Sequence, residues 1–231
     1  MGSTRLPGKI LKNVNGGSLL YHHIMRLKRT GHDVAIATTT NAEDDAIQEF
    51  AMKHTVNIHR GSEDNVLSRF VETQNKFHYN VVVRVTSDCP LIDAGLINEG
   101  IKRYTKSTNE NVYLSNSFPR TFPRGFDFEI FSAKMLEDAW QHTSDAFDIE
   151  HVTPYLWKNK PGNIHFLNIA QETDNSHLRV CVDTPEDLQL IEKIINDHDG
   201  ASKDHTEIET LLLSHPELVK INRHIEQKKN L

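Results

Sequence analysis

The sequence has little cysteine, no long apolar run and no excess of positive charge. Its 231 residues include two cysteines, Cys89 and Cys181, without metal-ligand spacing, which indicates reduced thiols in a cytoplasmic protein. No apolar stretch approaches the ~20 residues of a membrane span, and none resembles a signal peptide. Because 26 Lys and Arg face 32 Asp and Glu, for a formal charge of −6, the chain lacks the basic face that non-specific nucleic-acid binding requires.

The chain does contain short β-branched runs that alternate with helical patterns. This alternation predicts an α/β protein with a largely parallel central sheet. Val81, Val82 and Val83 are continuously apolar, as expected of a strand buried on both faces. The predicted strands cover residues 33–38, 56–59, 80–86, 112–116, 126–131, 163–169 and 178–182.

Helical periodicity fills the intervals between these strands. Leu20, Ile24 and Leu27 recur at helical spacing, with Gly31 placed to end that helix, and Asn41 can begin the next one. Further helices are predicted over residues 93–104, 133–142, 185–197, 207–214 and 216–226. The polar stretch 199–204 separates the last two from the rest, so we expect one domain over residues 1–231, with an α/β core at 1–198 and a helical tail at 199–231.

The first nine residues combine small donors with two cations. Gly2, Ser3 and Thr4 offer backbone N–H groups and hydroxyls that can surround an anion, and Arg5 and Lys9 add positive charge. This combination suits a polyphosphate. The spacing of a Walker A loop is absent.

Two aspartates follow predicted strands directly. Asp88 comes after the apolar strand at 80–86, and Asp183 comes after the strand at 178–182. Ligands of open α/β sheets bind outside the carboxyl ends of the strands, where two carboxylates can hold one Mg²⁺ together with phosphate and water. Asp88 also fits a plain turn residue before Pro90. Thr184, followed by Pro185 and Asp187, has the pattern of a helix cap, which leaves Asp183 free for another role.

Six segments in order carry a resemblance to a known family. They are MGSTRLPGK at 1–9, ATTTNAEDD at 37–45, RGSEDNVLSRF at 60–70, RVTSDCPLID at 84–93, EHVTPY at 150–155 and HLRVCVDTPEDL at 177–188. Together they resemble the cytidylyltransferases of the spore-coat polysaccharide type, which are relatives of the CMP–sugar-acid synthetases. The resemblance implies a three-layer, Rossmann-like nucleotidyltransferase fold and a cytoplasmic enzyme.

The resemblance also implies an activity: Mg²⁺-dependent transfer of CMP from CTP to a sugar acid with release of pyrophosphate, for surface or spore-coat polysaccharide. Arg5 and Lys9 would hold the triphosphate, Asp88 and Asp183 would bind Mg²⁺, and a homodimer is expected. An arginine would suit the acid's carboxylate, but the sequence does not say which one. The remaining substrate-binding candidates are Gly2, Ser3, Arg84, Arg124, Asp127, Glu129, Glu150, His151 and Arg179.

One departure from the family concerns the first strand. The relatives have an apolar strand directly before the Met-Gly-Ser loop, in the middle of the sheet, whereas this sequence starts at the loop. The resemblance therefore implies a sheet that lacks its N-terminal strand, with unpaired backbone groups and exposed core. We expect a longer natural chain, a partner that supplies the strand, or an impaired protein.

Two other function classes remain as alternatives. A nucleotide-sugar glycosyltransferase shares the α/β layout and usually carries an Asp-x-Asp metal motif at a strand end. The match here, Asp197-His198-Asp199, ends a predicted helix instead. The second alternative is a non-enzymatic homologue of the cytidylyltransferases, disabled by the absent strand.

Overall fold

The computed structural model describes residues 5–226, so the predicted phosphate contacts of Gly2 and Ser3 lie outside the described residues. The strands are β1 (Asn13–Val14), β2 (Gly17–Ser18), β3 (Ala35–Thr39), β4 (Asn57–Gly61), β5 (Val81–Arg84), β6 (Val112–Ser115), β7 (Glu129–Ser132) and β8 (His165–Asn168). The helices are α1 (Leu19–Lys28), α2 (Asp45–Lys53), α3 (Val66–Phe77), α4 (Ala94–Lys106), α5 (Ala133–His142), α6 (Ala146–His151), α7 (Pro154–Trp157), α8 (Pro185–His198), α9 (His205–Ser214) and α10 (Pro216–Asn222).

The strands form a short hairpin and two larger groups. β3 pairs with β4 in parallel, and a four-stranded sheet has the order β5-β7-β6-β8. Within that sheet β6 and β8 are parallel, whereas β7 is antiparallel to both β5 and β6. The predicted α/β class is confirmed, with β7 running opposite to its neighbours.

Six of the seven predicted strands overlap an observed one, and the exception is residues 178–182. This segment bonds alternately to two different loops: Leu178 accepts from the amide of Arg124 (3.0 Å), Val180 donates to the carbonyl of Arg124 (2.7 Å), and Val182 donates to the carbonyl of Asp88 (2.8 Å). Because no continuous partner runs beside it within residues 5–226, it forms one isolated bridge, Arg124 with Arg179, and the prediction of a strand there is wrong.

Local signals place the helices near their predicted bounds. Asp93 caps α4 by accepting from the amide of Leu96 (2.7 Å), and Thr184 and Asp187 form a reciprocal capping box at α8. In the tail, α9 begins at His205 and α10 ends at Asn222, four residues before the predicted end. Within residues 5–226, no helix has the length and apolar content that crossing a membrane demands.

Apolar side chains form two buried clusters. The larger one contains residues of α1, α4, α8 and α9, including Leu20, Ile97 and Ile194. The smaller one joins α3, α5 and α7 to the sheet residues Tyr113 and Phe131. Val83 packs against the larger cluster and Val82 against the smaller, so β5 separates the two layers.

A cavity of about 700 Å³ interrupts the sheet between β3 and β5. Ile36 of β3 and Val83 of β5 both line it, together with side chains of α1, α3 and α4. Among the described residues, β3 pairs only with β4, and β5 pairs only with β7. Consequently Val81 is 42% exposed although it belongs to an apolar strand. Within residues 5–226, the strands are therefore unpaired on the two edges that face this cavity.

Candidate active site

The N-terminal segment makes a turn at Gly8, and this turn brings Arg5 and Lys9 to Asp183. Gly8 has φ 64°, a left-handed conformation that glycine adopts without steric cost, and it precedes a 3₁₀ turn at Lys9–Leu11. Leu6 is buried in the larger apolar cluster, which anchors the segment. Arg5 then places Nη2 3.0 Å from Oδ2 of Asp183.

Lys9 joins the two predicted aspartates. Its Nζ donates to Oδ2 of Asp88 (3.0 Å), to Oδ1 of Asp183 (2.9 Å) and to the carbonyl of Val182 (2.7 Å). Burial by itself would lower the pKa of Lys9, but the two carboxylates raise that pKa above its ordinary value. Asp88 and Asp183 are 95 residues apart in the sequence, and they therefore share one cation, the ammonium of Lys9.

A buried layer behind Asp183 fixes its carboxylate. Arg179 donates from Nη2 to Oδ2 of Asp183 (2.7 Å) and from Nε to the fully buried Asp187 (2.9 Å). Asp187 also accepts from the amide of Asp183 (2.9 Å) and from Asn222 of α10 (2.8 Å). Burial would raise the pKa of Asp183, but Lys9 and Arg179 hold that pKa below its ordinary value. The carboxylate is therefore ionised and oriented before any ligand binds.

A second polar group lies at the carboxyl end of β5. Arg84 faces Glu129 across the β5–β7 pair and donates to its carboxylate (2.6 Å). Tyr113 and Thr153 donate to the other carboxylate oxygen of Glu129. Burial first, and the Glu129 charge second, raise the pKa of Tyr113 well above its ordinary value. Arg84 and Glu129 thus neutralise each other, whereas Nε of Arg84 is buried without a hydrogen-bond partner among the described residues.

The loop that carries Arg120, Arg124 and Asp127 packs beside residues 178–182. Arg120 forms an ion pair with Asp127. Arg124 is half-buried, and its guanidinium has no hydrogen bond or ion pair within residues 5–226. Gly125 has φ 111°, and a Cβ there would lie 2.7 Å from the carbonyl carbon of Val180. Glycine is needed here for both conformation and contact.

The structure does not connect Glu150 and His151 to this cluster. Glu150 is exposed on α6, and His151 is half-buried with its ring 4.5 Å from that of Phe147. Sequence reasoning gave Asp187 only a capping role and missed Asn222. The helix-cap pattern at residues 184–187 was the available signal for Asp187, whereas Asn222 had none.

Comparison with known proteins identifies the family. A family model described as cytidylyltransferase matches residues 1–221. The chain belongs to the cytidylyltransferase family. It is accordingly a nucleotidyltransferase enzyme, and the cluster around Asp88 and Asp183 is its candidate active site.

Three relatives illustrate how the family similarity is distributed. A cytidylyltransferase from Leptospira borgpetersenii superposes with a TM-score of 0.91 at 30% identity, covering 98% of this chain and 95% of that one. The spore coat polysaccharide biosynthesis protein SpsF of Bacillus subtilis is 30% identical, covering 84% of this chain and 82% of SpsF. The structure of a CMP:2-keto-3-deoxy-manno-octonic acid synthetase complexed with CTP is similar in fold, with a TM-score of 0.60 at 17% identity, covering 85% and 95%.

Proposed function

We propose that this cytidylyltransferase transfers CMP from CTP to a sugar acid, releasing pyrophosphate, in the synthesis of surface or spore-coat polysaccharide. The observation that carries the proposal is the sharing of Lys9 by Asp88 and Asp183, with Arg5 beside them. These groups combine cations for a triphosphate with carboxylates for a divalent cation. The structural relative complexed with CTP supports the nucleotide, and the spore coat polysaccharide biosynthesis protein SpsF supports the pathway.

The donor set fits Mg²⁺. Within residues 5–226 no three His, Cys, Asp or Glu side chains are grouped as a metal site. Mg²⁺ typically takes one or two carboxylates and completes its shell with substrate phosphates and water, and Asp88 and Asp183 supply two. Both already hold the ammonium of Lys9, so the position suits a cation. When bound there, Mg²⁺ would offset charge on the phosphates.

The chain's own residues would act by positioning and by charge. An acceptor hydroxyl forms a bond to the α-phosphorus of CTP, and the bond between the α-phosphorus and the oxygen that bridges it to the β-phosphorus breaks. Pyrophosphate leaves with that oxygen, and the hydroxyl proton passes to solvent. Arg5 and Lys9 would hold the departing phosphates. Arg179 and Asp187 would keep Asp183 in place.

The experiment is to measure pyrophosphate release from CTP for Asp88→Asn and Asp183→Asn. Each change should lower kcat by about 10²–10³-fold, as for the loss of one preorganised charged group. Asp197→Asn is the matched control, because Asp197 is exposed at the far end of α8. Folded Asp88→Asn and Asp183→Asn variants with wild-type rates would refute the assignment.

Nucleotide and metal preference need a separate measurement, thermal unfolding with CTP, UTP, ATP and GTP, each with and without Mg²⁺. A ligand at 100 times its Kd adds ~2.7 kcal/mol, and a chain of this size gains about 2–4 °C per kcal/mol. We expect a Mg²⁺-dependent rise of several degrees with CTP alone. Equal rises with all four nucleotides would contradict CTP specificity.

The glycosyltransferase alternative has little geometric support. The Asp197-His198-Asp199 sequence ends α8, and α8 starts two residues after Asp183. At ~1.5 Å per helical residue, Asp197 lies roughly 20 Å along the helix from the cluster. Asp199 accepts from Ser202 at the exposed helix end. Release of a nucleoside diphosphate would revive this alternative.

Homodimer formation stays a prediction.

A further inference from the structure

Lys9 lies at the position between Asp88 and Asp183 that the proposed function gives to a divalent cation. Its Nζ is 3.0 Å from Oδ2 of Asp88 and 2.9 Å from Oδ1 of Asp183. The carbonyl of Val182 accepts a third hydrogen bond at 2.7 Å, so all three N–H donors of the ammonium are used. Because a second cation cannot approach these two carboxylate oxygens while the ammonium lies against them, Lys9 and Mg²⁺ compete for the same place.

The other carboxylate oxygen of Asp183 is already used by two arginines. Oδ2 accepts from Nη2 of Arg179 at 2.7 Å and lies 3.0 Å from Nη2 of Arg5. A cation that bridges Asp88 and Asp183 therefore needs Oδ1 of Asp183, which is the oxygen that Lys9 contacts. The metal can reach both aspartates only after the ammonium of Lys9 has left them.

Lys9 and Arg179 differ in how firmly they are held. Arg179 binds the fully buried Asp187 through both Nε (2.9 Å) and Nη2 (3.1 Å). The contacts of Lys9 with the cluster all come from the end of a flexible four-carbon side chain, whereas its backbone is fixed separately by the bond from its amide to the carbonyl of Leu6 (3.2 Å). Such an ammonium can turn to a nearby partner without moving the backbone. Lys9 is thus the exchangeable cation on Asp183, and Arg179 is the permanent one.

The charges of the cluster balance while Lys9 is in place. Among the described residues, the ion pairs of this cluster join three cations to three carboxylates: Arg5, Lys9, Arg179, Asp88, Asp183 and Asp187. A divalent cation alone would add two positive charges to this balanced group and would displace the ammonium without offering it a new partner. A triphosphate changes the balance, because its oxygens give the ammonium a partner and offset the charge of the metal.

We propose that Lys9 is an internal counter-ion that excludes a divalent cation from Asp88 and Asp183 until a nucleotide polyphosphate draws its ammonium away. The metal and the nucleotide then bind cooperatively, and each raises the affinity of the protein for the other by the same factor. The inference rests on the proposed function, since it takes the metal site and the triphosphate from there. It adds the exchange of partners at Lys9, which couples the two.

The first test measures the binding of Mn²⁺ alone, used as a paramagnetic substitute for Mg²⁺, by the loss of the EPR signal of the free ion. Lys9→Met removes the ammonium but keeps an unbranched side chain. It should bind Mn²⁺ roughly 10- to 100-fold more tightly than the wild type, because charge-assisted hydrogen bonds no longer have to be broken. Adding Asp88→Asn to Lys9→Met should abolish this gain, since the ion then loses one of its two carboxylates.

Arg5→Met is the matched control for Lys9→Met. It also removes one positive charge beside Asp183, but Arg5 contacts Oδ2 of that residue and leaves Oδ1 to Lys9. The variant should therefore raise the Mn²⁺ affinity by less than about 3-fold, the effect of one partly screened charge. Equal gains in Arg5→Met and Lys9→Met would mean that only the net charge matters, and the proposal would be overturned.

The second test follows the ammonium itself by NMR of wild-type protein labelled with ¹⁵N-lysine. The Nζ signal of Lys9 is identified as the one absent from Lys9→Arg, a variant that retains the positive charge. Mg²⁺ alone should leave this signal unchanged, whereas CTP added with a chelator in place of the metal should shift it. A signal that Mg²⁺ alone shifts, or that CTP leaves in place, would overturn the proposal even if Lys9→Met did not fold.

These outcomes are distinguishable from a failure of the proposed function. If the wild type transfers CMP to a sugar acid while it, Lys9→Met and Arg5→Met bind Mn²⁺ equally, the inference fails and the proposed function stands. If Asp88→Asn leaves the Mn²⁺ affinity of Lys9→Met unchanged, the metal lies elsewhere, and the metal site of the proposed function fails together with the inference.

Discussion

The charged cluster around Asp183 and the apolar cavity between β3 and β5 adjoin each other but differ in how they are completed. Ile10 and Ser87 line the cavity, and they are the sequence neighbours of Lys9 and Asp88. The cluster is closed by directional bonds from α8, α10 and the N-terminal segment. The cavity is bordered by strands that, among the described residues, pair on one edge only.

This difference divides the candidate active site into two halves. Asp183 is braced by Arg179, and Arg179 in turn by Asp187 and Asn222. Asp88 follows β5, the strand that borders the cavity, and its side-chain bonds go to Lys9 and Cys89. The half around Asp183 is therefore preorganised more firmly than the half around Asp88.

The largest expected effect comes from breaking the braced half at Asp187. Asp187→Ala leaves the nearly buried Arg179 without its main partner and removes acceptors for the amides of Asp183 and Thr184. Removing one member of a buried ion pair costs about 3–5 kcal/mol. We expect a matching loss in the free energy of unfolding, measured by urea titration.

Asp197→Ala, an exposed change on the same helix, is the control for Asp187→Ala and should stay within about 0.5 kcal/mol of the wild type. Equal stabilities of the two variants would mean that the contacts of Asp187 do not brace the site.

A middle-sized effect should distinguish the closed part of the sheet from the open part. Ile130 of β7 is fully buried between two paired strands, so Ile130→Ala should cost about 2–5 kcal/mol. Ile36 of β3 is half-exposed to the cavity, so Ile36→Ala should cost roughly 1 kcal/mol. Urea titration of both variants measures the contrast.

The contrast can be sharpened by repeating both changes in a chain that carries an apolar strand ahead of Met1. If that strand fills the cavity, the cost of Ile36→Ala should rise toward that of Ile130→Ala. Equal costs in the present chain would show that β3 is already covered.

The sequence predicted most of what depends on local chemistry. Strands β3 to β8 were recognised from β-branched runs, α4 from its helical periodicity, and α8 from the cap that Thr184 indeed forms. The reversed direction of β7 was not predicted, because its pairing with β5 joins Arg84 to Glu129 across 45 positions. The division into a core at 1–198 and a tail at 199–231 stays a prediction.

For the site, residue type could be predicted but pairing could not. Lys9, Asp88 and Asp183 were identified from composition, strand ends and resemblance, and the structure brings them within bonding distance. The sequence does not say which arginines have a carboxylate partner: Arg84 pairs with Glu129 across 45 positions, and Arg120 pairs with Asp127 within one loop. The predicted roles of Glu150 and His151 stay predictions without a contact to the cluster.

The smallest expected effect concerns the contact between His205 of α9 and Asp93 at the N-terminus of α4. Its Nδ1 lies 3.5 Å from Oδ1 of Asp93, the residue that caps α4. The interaction with Asp93 raises the pKa of His205 above 6.5, and burial opposes this only in part. Because the folded pKa is the higher one, the stabilisation is complete below the unfolded pKa and is lost as pH rises through the folded pKa.

We expect the wild type to lose a few tenths to ~1 kcal/mol relative to His205→Gln as the pH rises through and above about 6.5. The free energy of unfolding of both proteins, measured across this range, gives the difference curve. Buried His23, whose pKa is lowered by burial, contributes with the opposite sign but is present in both proteins and cancels. A flat difference curve would mean that Arg26, 3.7 Å from Asp93, already neutralises that carboxylate. The cap of α4 would then be stabilised by the buried charge of Arg26 alone, just as Asp187 is stabilised by the buried charge of Arg179.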